Sequence, residues 1–135
     1  IDFAITYFYN VYGKNEISEG KYATLIALFT RKYKNNEVLS VVSPGTQERN
    51  FTYIDDIING LILVGEKGKG DGYGIGSRDT FTILEIAKMF KGNVEMLPER
   101  NGNRMIADLL SEKTEALGWE AKHNIKDYIN KIVSE

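Results

Sequence analysis

The first nine residues, Ile1-Asp-Phe-Ala-Ile-Thr-Tyr-Phe-Tyr9, constrain the fold more than any other stretch, because β-branched and aromatic side chains follow one another almost without a break. Such a run suits a strand of a parallel sheet that is covered on both faces. It carries no basic leader and no small-residue cleavage site, so it is read as a strand cut from its context and not as a signal peptide. A sheet is implied whose other strands these residues largely lack.

Downstream, apolar residues recur at helical spacing from Tyr22 to Tyr33, and Lys-Asn-Asn follows to end the helix. A short strand over 37–42 stops at Ser43-Pro-Gly45, a strong turn signal. A helix beginning near Asp55 places Ile57, Ile58, Leu61 and Ile62 on one face, with Asp55 or Asp56 expected to accept its free amide hydrogens. Thr82-Ile-Leu-Glu85 spells a capping box that opens a helix through Phe90. Val94 to Leu97 reads as a strand, and two short helices, near Ser111 to Leu117 and Ile125 to Val133, close the chain. The result is an α/β chain with a few short strands and several helices around one core.

The glycine-rich stretch Gly65-Glu-Lys-Gly-Lys-Gly-Asp-Gly-Tyr-Gly-Ile-Gly-Ser77 invites a phosphate-loop reading, which its spacing refuses. No G-x-G-x-x-G occurs and no Gly-Lys-Ser/Thr follows. The stretch is expected to be a flexible turn leading into a strand over 72–76, where glycine lets another element approach closely.

Charge narrows the partners further. Seventeen basic residues against nineteen acidic ones leave a formal charge of -2, so no global field recruits nucleic acid or an anionic membrane. Arg31-Lys-Tyr-Lys34 is read as a solvated helix end and not an RNA patch. There is no cysteine and the one histidine is His123, so a metal site of Cys and His ligands is impossible and a reducing, cytoplasmic compartment is compatible. His123 is expected at the surface, and Trp119 is expected to pack the terminal helices. No segment reads as a membrane span.

Three motifs remain: Tyr7-Phe-Tyr-Asn-Val-Tyr-Gly13, Arg49-Asn-Phe-Thr-Tyr-Ile-Asp-Asp-Ile-Ile-Asn-Gly60 and Pro98-Glu-Arg-Asn-Gly102. In this order, with Ala107-Asp108 and Ala116-Leu-Gly-Trp119 after them, the chain resembles the C-terminal half of extended short-chain dehydrogenase/reductase proteins, most closely UDP-glucose C4 epimerases and related nucleotide-sugar enzymes. The resemblance implies a substrate-binding part over 1–135 that includes the last strands of a Rossmann sheet. The NAD-binding domain, with its glycine-rich loop, catalytic Ser/Thr and Tyr-x-x-x-Lys pair, would lie upstream of residue 1. The resemblance further implies NAD as the cofactor of a complete enzyme, expected to be a cytoplasmic homodimer that oxidises and re-reduces the sugar at C4. The chain alone is expected to be inactive.

Residue by residue, the resemblance assigns Arg49 and Arg100 to the substrate diphosphate. The chemistry agrees, because an enclosed diphosphate needs donors and positive charge and guanidinium supplies both in a planar fork. The competing role is a surface arginine paired with a nearby acid. Asn10 corresponds to an asparagine that bonds substrate near its phosphates or sugar, Tyr9 to the aromatic position beside the sugar, and Phe8 to a position near the nicotinamide. These three fall at the C-terminal end of a strand, where open parallel sheets bind ligands. Packing is the rival role for Phe8 and Tyr9. Tyr53 maps to a substrate contact, with packing under the Asp-Asp helix as its alternative. Ser40 and Val42 lie on the strand whose backbone runs near the nucleotide base. Where the family commonly has an acid after the Pro-x-Arg-x-Gly motif, this chain has Asn103, which can hold a ribose hydroxyl without charge.

Nucleotide-sugar dehydratases, decarboxylases and reductases would use a similar anchor, and a non-catalytic binding module is the alternative from another class. An isolated chain of this kind would also expose apolar faces and could associate through them.

Overall fold

The computed structural model describes residues 1–106 and 108–135. Ala107, one of the residues carrying the resemblance, lies outside the described residues. Strand β1, Ala4–Phe8, runs parallel to β6, Gly70–Ile75, with Thr6, Tyr7 and Phe8 opposite Tyr73, Gly74 and Ile75. A second parallel ladder joins β2, Val11–Tyr12, to β5, Thr52–Tyr53, and a third joins β3, Leu39–Val42, to β8, Val94–Leu97. The remaining pair, β4 (Glu48–Asn50) and β7 (Thr80–Thr82), is antiparallel. The helices are α1 (Leu25–Lys34), α2 (Ile54–Lys67), α3 (Ile83–Met89), α4 (Glu112–Ala116) and α5 (Ile125–Val133).

At α3 and at the end of α1 the local signals act where they were expected. Thr82 Oγ1 accepts from the Glu85 amide at 3.0 Å while the Glu85 carboxylate accepts from the Thr82 amide at 2.7 Å, which completes the capping box of α3. Helix α1 ends at Asn35, with Asn36 at φ 57, a left-handed conformation that asparagine tolerates. Arg31, Lys32 and Lys34 occupy the last turn of α1, where cations meet the negative end of the helix dipole.

Two cores hold these elements. The larger packs Phe29 and Ile26 of α1, Leu39 and Val41 of β3, Ile86 and Phe90 at α3, and Ile125 and Ile129 of α5. Burying each such side chain contributes about 1.5–3 kcal/mol. The smaller joins Ile57 and Val64 of α2 to Tyr73 and Ile75 of β6 and to Trp119. Trp119 therefore seals α2 onto β6 and does not pack the terminal helices as expected. Its Nε1 donates to the Asp56 carbonyl at 2.9 Å, which fixes the indole over α2.

The inward stripe of α2 also differs from the expected one. Ile57, Gly60 and Val64 are buried, following a three-then-four spacing, whereas Ile58, Leu61 and Ile62 are exposed. Gly60 is what allows the close approach, since a Cβ there would come within 2.7 Å of Ile75 Cγ2 and 3.1 Å of Trp119 Nε1. The N-terminal strand is likewise not covered on both faces as expected: Ile5 and Tyr7 on one face are exposed, and so is Phe8 at its end.

Neither acid of the Asp-Asp pair caps α2: Tyr53 is the N-cap residue and no side chain bonds there. Asp56 is instead 1% exposed and faces the C-terminal segment. Its Oδ2 accepts from the amides of Lys122 at 3.1 Å and His123 at 3.0 Å, and His123 Nδ1 lies 3.0 Å from its Oδ1. His123, expected as an ordinary surface residue, is half exposed but bonded to this carboxylate. A buried carboxylate must have its lone pairs filled, and these contacts do so while fixing the entry into α5.

The glycine-rich stretch divides: Gly65 to Lys67 continue α2 where a flexible turn was expected, and Gly70–Ile75 form β6, which starts two residues before the expected strand over 72–76. A Cβ on Gly74 would collide with the Leu110 carbonyl, which accepts the Gly74 amide hydrogen at 2.9 Å. Close approach of another element is the reason for glycine there.

Candidate functional site

Two residues beyond the end of β1, Asn10 has a φ of 41 that turns the chain out of the sheet, a conformation asparagine adopts more readily than most residues. This places Asn10 at the C-terminal edge of a parallel pair, where ligands of open sheets bind. The end of β3 contributes Ser40 and Val42, β4 contributes Arg49, and the segment after β8 contributes Arg100 and Asn103. These six side chains line one cleft of about 400 Å³. Four separate stretches of chain thus converge on one hollow.

The cleft's electrostatics suit an anion. Arg49 Nη1 donates to the Glu48 carbonyl at 2.7 Å, which orients the guanidinium and leaves its charge uncompensated. The ion pairs found among the described residues join Lys34 to Glu135, Arg78 to Glu115 and Arg104 to Asp108, and His123 lies within hydrogen-bonding distance of Asp56. Neither Arg49 nor Arg100 takes part in any of them, so the surface-pair role is not realised among the described residues. Ser40 is partly committed elsewhere, since its hydroxyl donates to Glu95 at 2.6 Å and accepts from Lys32 Nζ at 3.4 Å.

Three expected site residues stand outside the cleft. Phe8 is 51% exposed at the end of β1. The Tyr9 hydroxyl accepts from the Leu110 amide at 3.2 Å, and its ring lies over Gly76, where a Cβ would come within 2.9 Å of it. Tyr53 joins an aromatic cluster, 4.7 Å from the His123 ring, 5.4 Å from Tyr12 and 6.0 Å from Tyr128 between centroids. It faces a second hollow of about 700 Å³ beside α5. Burial holds the neighbouring Tyr12 hydroxyl well above the ordinary phenol range, so it remains a neutral donor.

The cleft also has members that the sequence reading missed: Gln47 and the apolar Leu25, Phe51 and Ile83. Gln47 stands two residues before Arg49, the spacing that puts side chains of an extended strand on one face, and this was the available signal. The apolar three belong to α1, the β4–β5 link and α3, and nothing local announces them.

A dinucleotide finds little to hold it here. A Cβ at Gly74 or Gly76 would meet Leu110, Leu109 or Tyr9, so these glycines are filled by the protein's own chain and form no cradle for a pyrophosphate. Phe8 offers a ring but no donor. The described residues do not by themselves fit NAD.

The parallel strand pairs, the helices packed on them and the cleft at the strand ends define a Rossmann-like α/β chain. The family model for the NAD dependent epimerase/dehydratase family matches residues 1–76, and the chain belongs to that family. It is 30% identical to UDP-glucuronic acid decarboxylase 6 of Arabidopsis thaliana, over 94% of the chain and 38% of that protein. With the dTDP-D-glucose 4,6-dehydratase of Bos taurus it shares 29% identity, over 92% of the chain and 38% of the relative. The crystal structure of UDP-glucose 4-epimerase with UDP-glucose from Thermotoga maritima superposes with a TM-score of 0.90 at 25% identity, covering 99% of the chain and 45% of that protein. The chain therefore spans less than half the length of each of these relatives.

Proposed function

We propose that this chain is the nucleotide-sugar anchor of an NAD-dependent UDP-sugar C4 epimerase, gripping the diphosphate while the sugar is oxidised and re-reduced. Residues 1–135 form the substrate-binding part in this reading, and an NAD-binding domain carries the chemistry. The observation that supports it most is the convergence of Asn10, Arg49, Arg100 and Asn103 with the end of β3 in one cleft, with both arginines free of acidic partners among the described residues. Arg49 and Arg100 neutralise the diphosphate, Asn103 holds a ribose hydroxyl, and the β3 backbone at Ser40 and Val42 runs beside the base. Phe8 and Tyr9 lie on the sugar and nicotinamide side, and the NAD of the complete enzyme meets this part at Phe8. Tyr53 has a substrate role only if the sugar reaches past β5.

A firm grip on the diphosphate is what epimerisation needs, because the sugar must turn while the nucleotide stays put. The same anchor serves a nucleotide-sugar decarboxylase or dehydratase, and the similarity to a UDP-glucuronic acid decarboxylase favours that second reading. Product analysis with the complete enzyme separates them.

Arg49→Ala and Arg100→Ala test the anchor. Each removes charge-assisted bonds of about 1.5–3 kcal/mol, so UDP affinity measured by calorimetry should fall roughly 10- to 150-fold. Unchanged affinity in both variants would sink the assignment.

A further inference from the structure

Gln47 is 3% exposed, yet half of its amide is unused. Its Nε2 donates to the Val42 carbonyl at 3.1 Å. A carbonyl cannot face a carbonyl, so this contact fixes which end of the amide is which. The backbone is held as well, because the Gln47 carbonyl accepts the Ile83 amide hydrogen at 3.1 Å. Oε1 is consequently a fixed acceptor, buried and without a hydrogen-bond partner among the described residues. A buried orphan acceptor is costly, and one in the wall of a cleft is explained if a ligand supplies the donor.

The cleft narrows what that donor can be. A diphosphate at neutral pH has no hydrogen to give, and the arginines already answer its charge. Leu25, Phe51 and Ile83 line the same cleft and suit the faces of a flat ring better than a hydroxyl-covered ribose. Val42, to which the Gln47 amide is tied, ends the strand beside which the base runs in the proposed function.

We infer that Gln47 is a specificity-determining residue, its Oε1 accepting the ring N–H of a pyrimidine imide such as uracil N3–H. The inference rests on the nucleotide-anchor reading and adds to it the group that reads the base. Blocking that hydrogen leaves Oε1 unpaired in a desolvated wall and adds a clash, the arrangement that gives the sharpest discrimination between close analogues.

The test compares UDP with N3-methyl-UDP and 2′-deoxy-UDP by calorimetry, on the wild-type chain and on Gln47→Met. Comparing the ligands within each protein cancels any general loosening that the substitution causes. In the wild type, N3-methylation should weaken binding at least about tenfold, and in Gln47→Met that penalty should fall to about twofold or less. The 2′-deoxy penalty should be the same in both proteins. An equal N3-methyl penalty in both, or none in the wild type, overturns the assignment. A change confined to the 2′-deoxy penalty overturns it too, since it moves Gln47 to the ribose. Failure of UDP itself to bind the wild type defeats the anchor reading and this inference together, an outcome distinct from the others.

Discussion

Asp56→Ala is expected to destabilise the chain by about 3 kcal/mol, because it strips the acceptor from two backbone N–H groups and empties a buried site. The Lys122 and His123 amides would lose their only described partner, and the entry to α5 would come loose from α2. His123→Ala serves as the comparison. Its ring is 48% exposed, and its contact with Asp56 should contribute under about 1 kcal/mol. Urea unfolding of both variants reads the difference. A loss below about 1 kcal/mol for Asp56→Ala would contradict the clamp as a main source of stability. Equal losses in the two variants would make the side-chain pair, and not the backbone clamp, the source of stability.

Phe90→Ala is expected to cost about 3–5 kcal/mol, the range for emptying a fully buried aromatic site. Phe90 meets Phe29 edge-on, with centroids 6.0 Å apart and planes at 88°, and lies 6.0 Å from Tyr33. Its cluster is where α1, α3 and α5 share a core with β3, so the cavity would be felt by the strand that ends in the cleft. Phe90→Leu keeps most of the volume and should cost less than half as much. If Phe90→Ala lowered the unfolding free energy by under about 1 kcal/mol, the larger core would not depend on this ring. UDP affinity of the Leu variant should stay within about twofold of wild type, since Phe90 does not line the cleft.

What the sequence disclosed follows from how far each signal reaches. The capping box at Thr82, the strand over Val94–Leu97 and helix α5 are encoded within a few residues, and all three form as read. The orientation of α2 is not local. Ile57 and Ile58 are chemically alike, and only the position of Ile75 and Trp119 across Gly60 decides which one turns inward. Asp56 shows the same limit, since its position in the first turn suggested a cap while its partners are 66 and 67 residues away. The cleft falls between these cases. Arg49, Arg100, Asn10 and Asn103 were legible one motif at a time, whereas their assembly with Gln47, Leu25 and Phe51 depends on the pairing of β3 with β8 and of β4 with β7.

The exposed side chains of β1 and α2 show what the chain does not cover by itself. Ile5, Tyr7 and Phe8 on the strand and Ile58, Leu61 and Ile62 on the helix remain open to solvent. None of these side chains lines the arginine-lined cleft, although Phe8 stands only two residues before Asn10, which does.

The most direct measurement is a titration of the isotope-labelled chain with UDP, following backbone amide shifts by NMR. The anchor reading expects saturable shifts at Asn10, Val42, Arg49 and Arg100, with Tyr12 and Lys131 beside the second hollow unmoved. No saturable shift at the four cleft residues, or shifts confined to the second hollow, would contradict it.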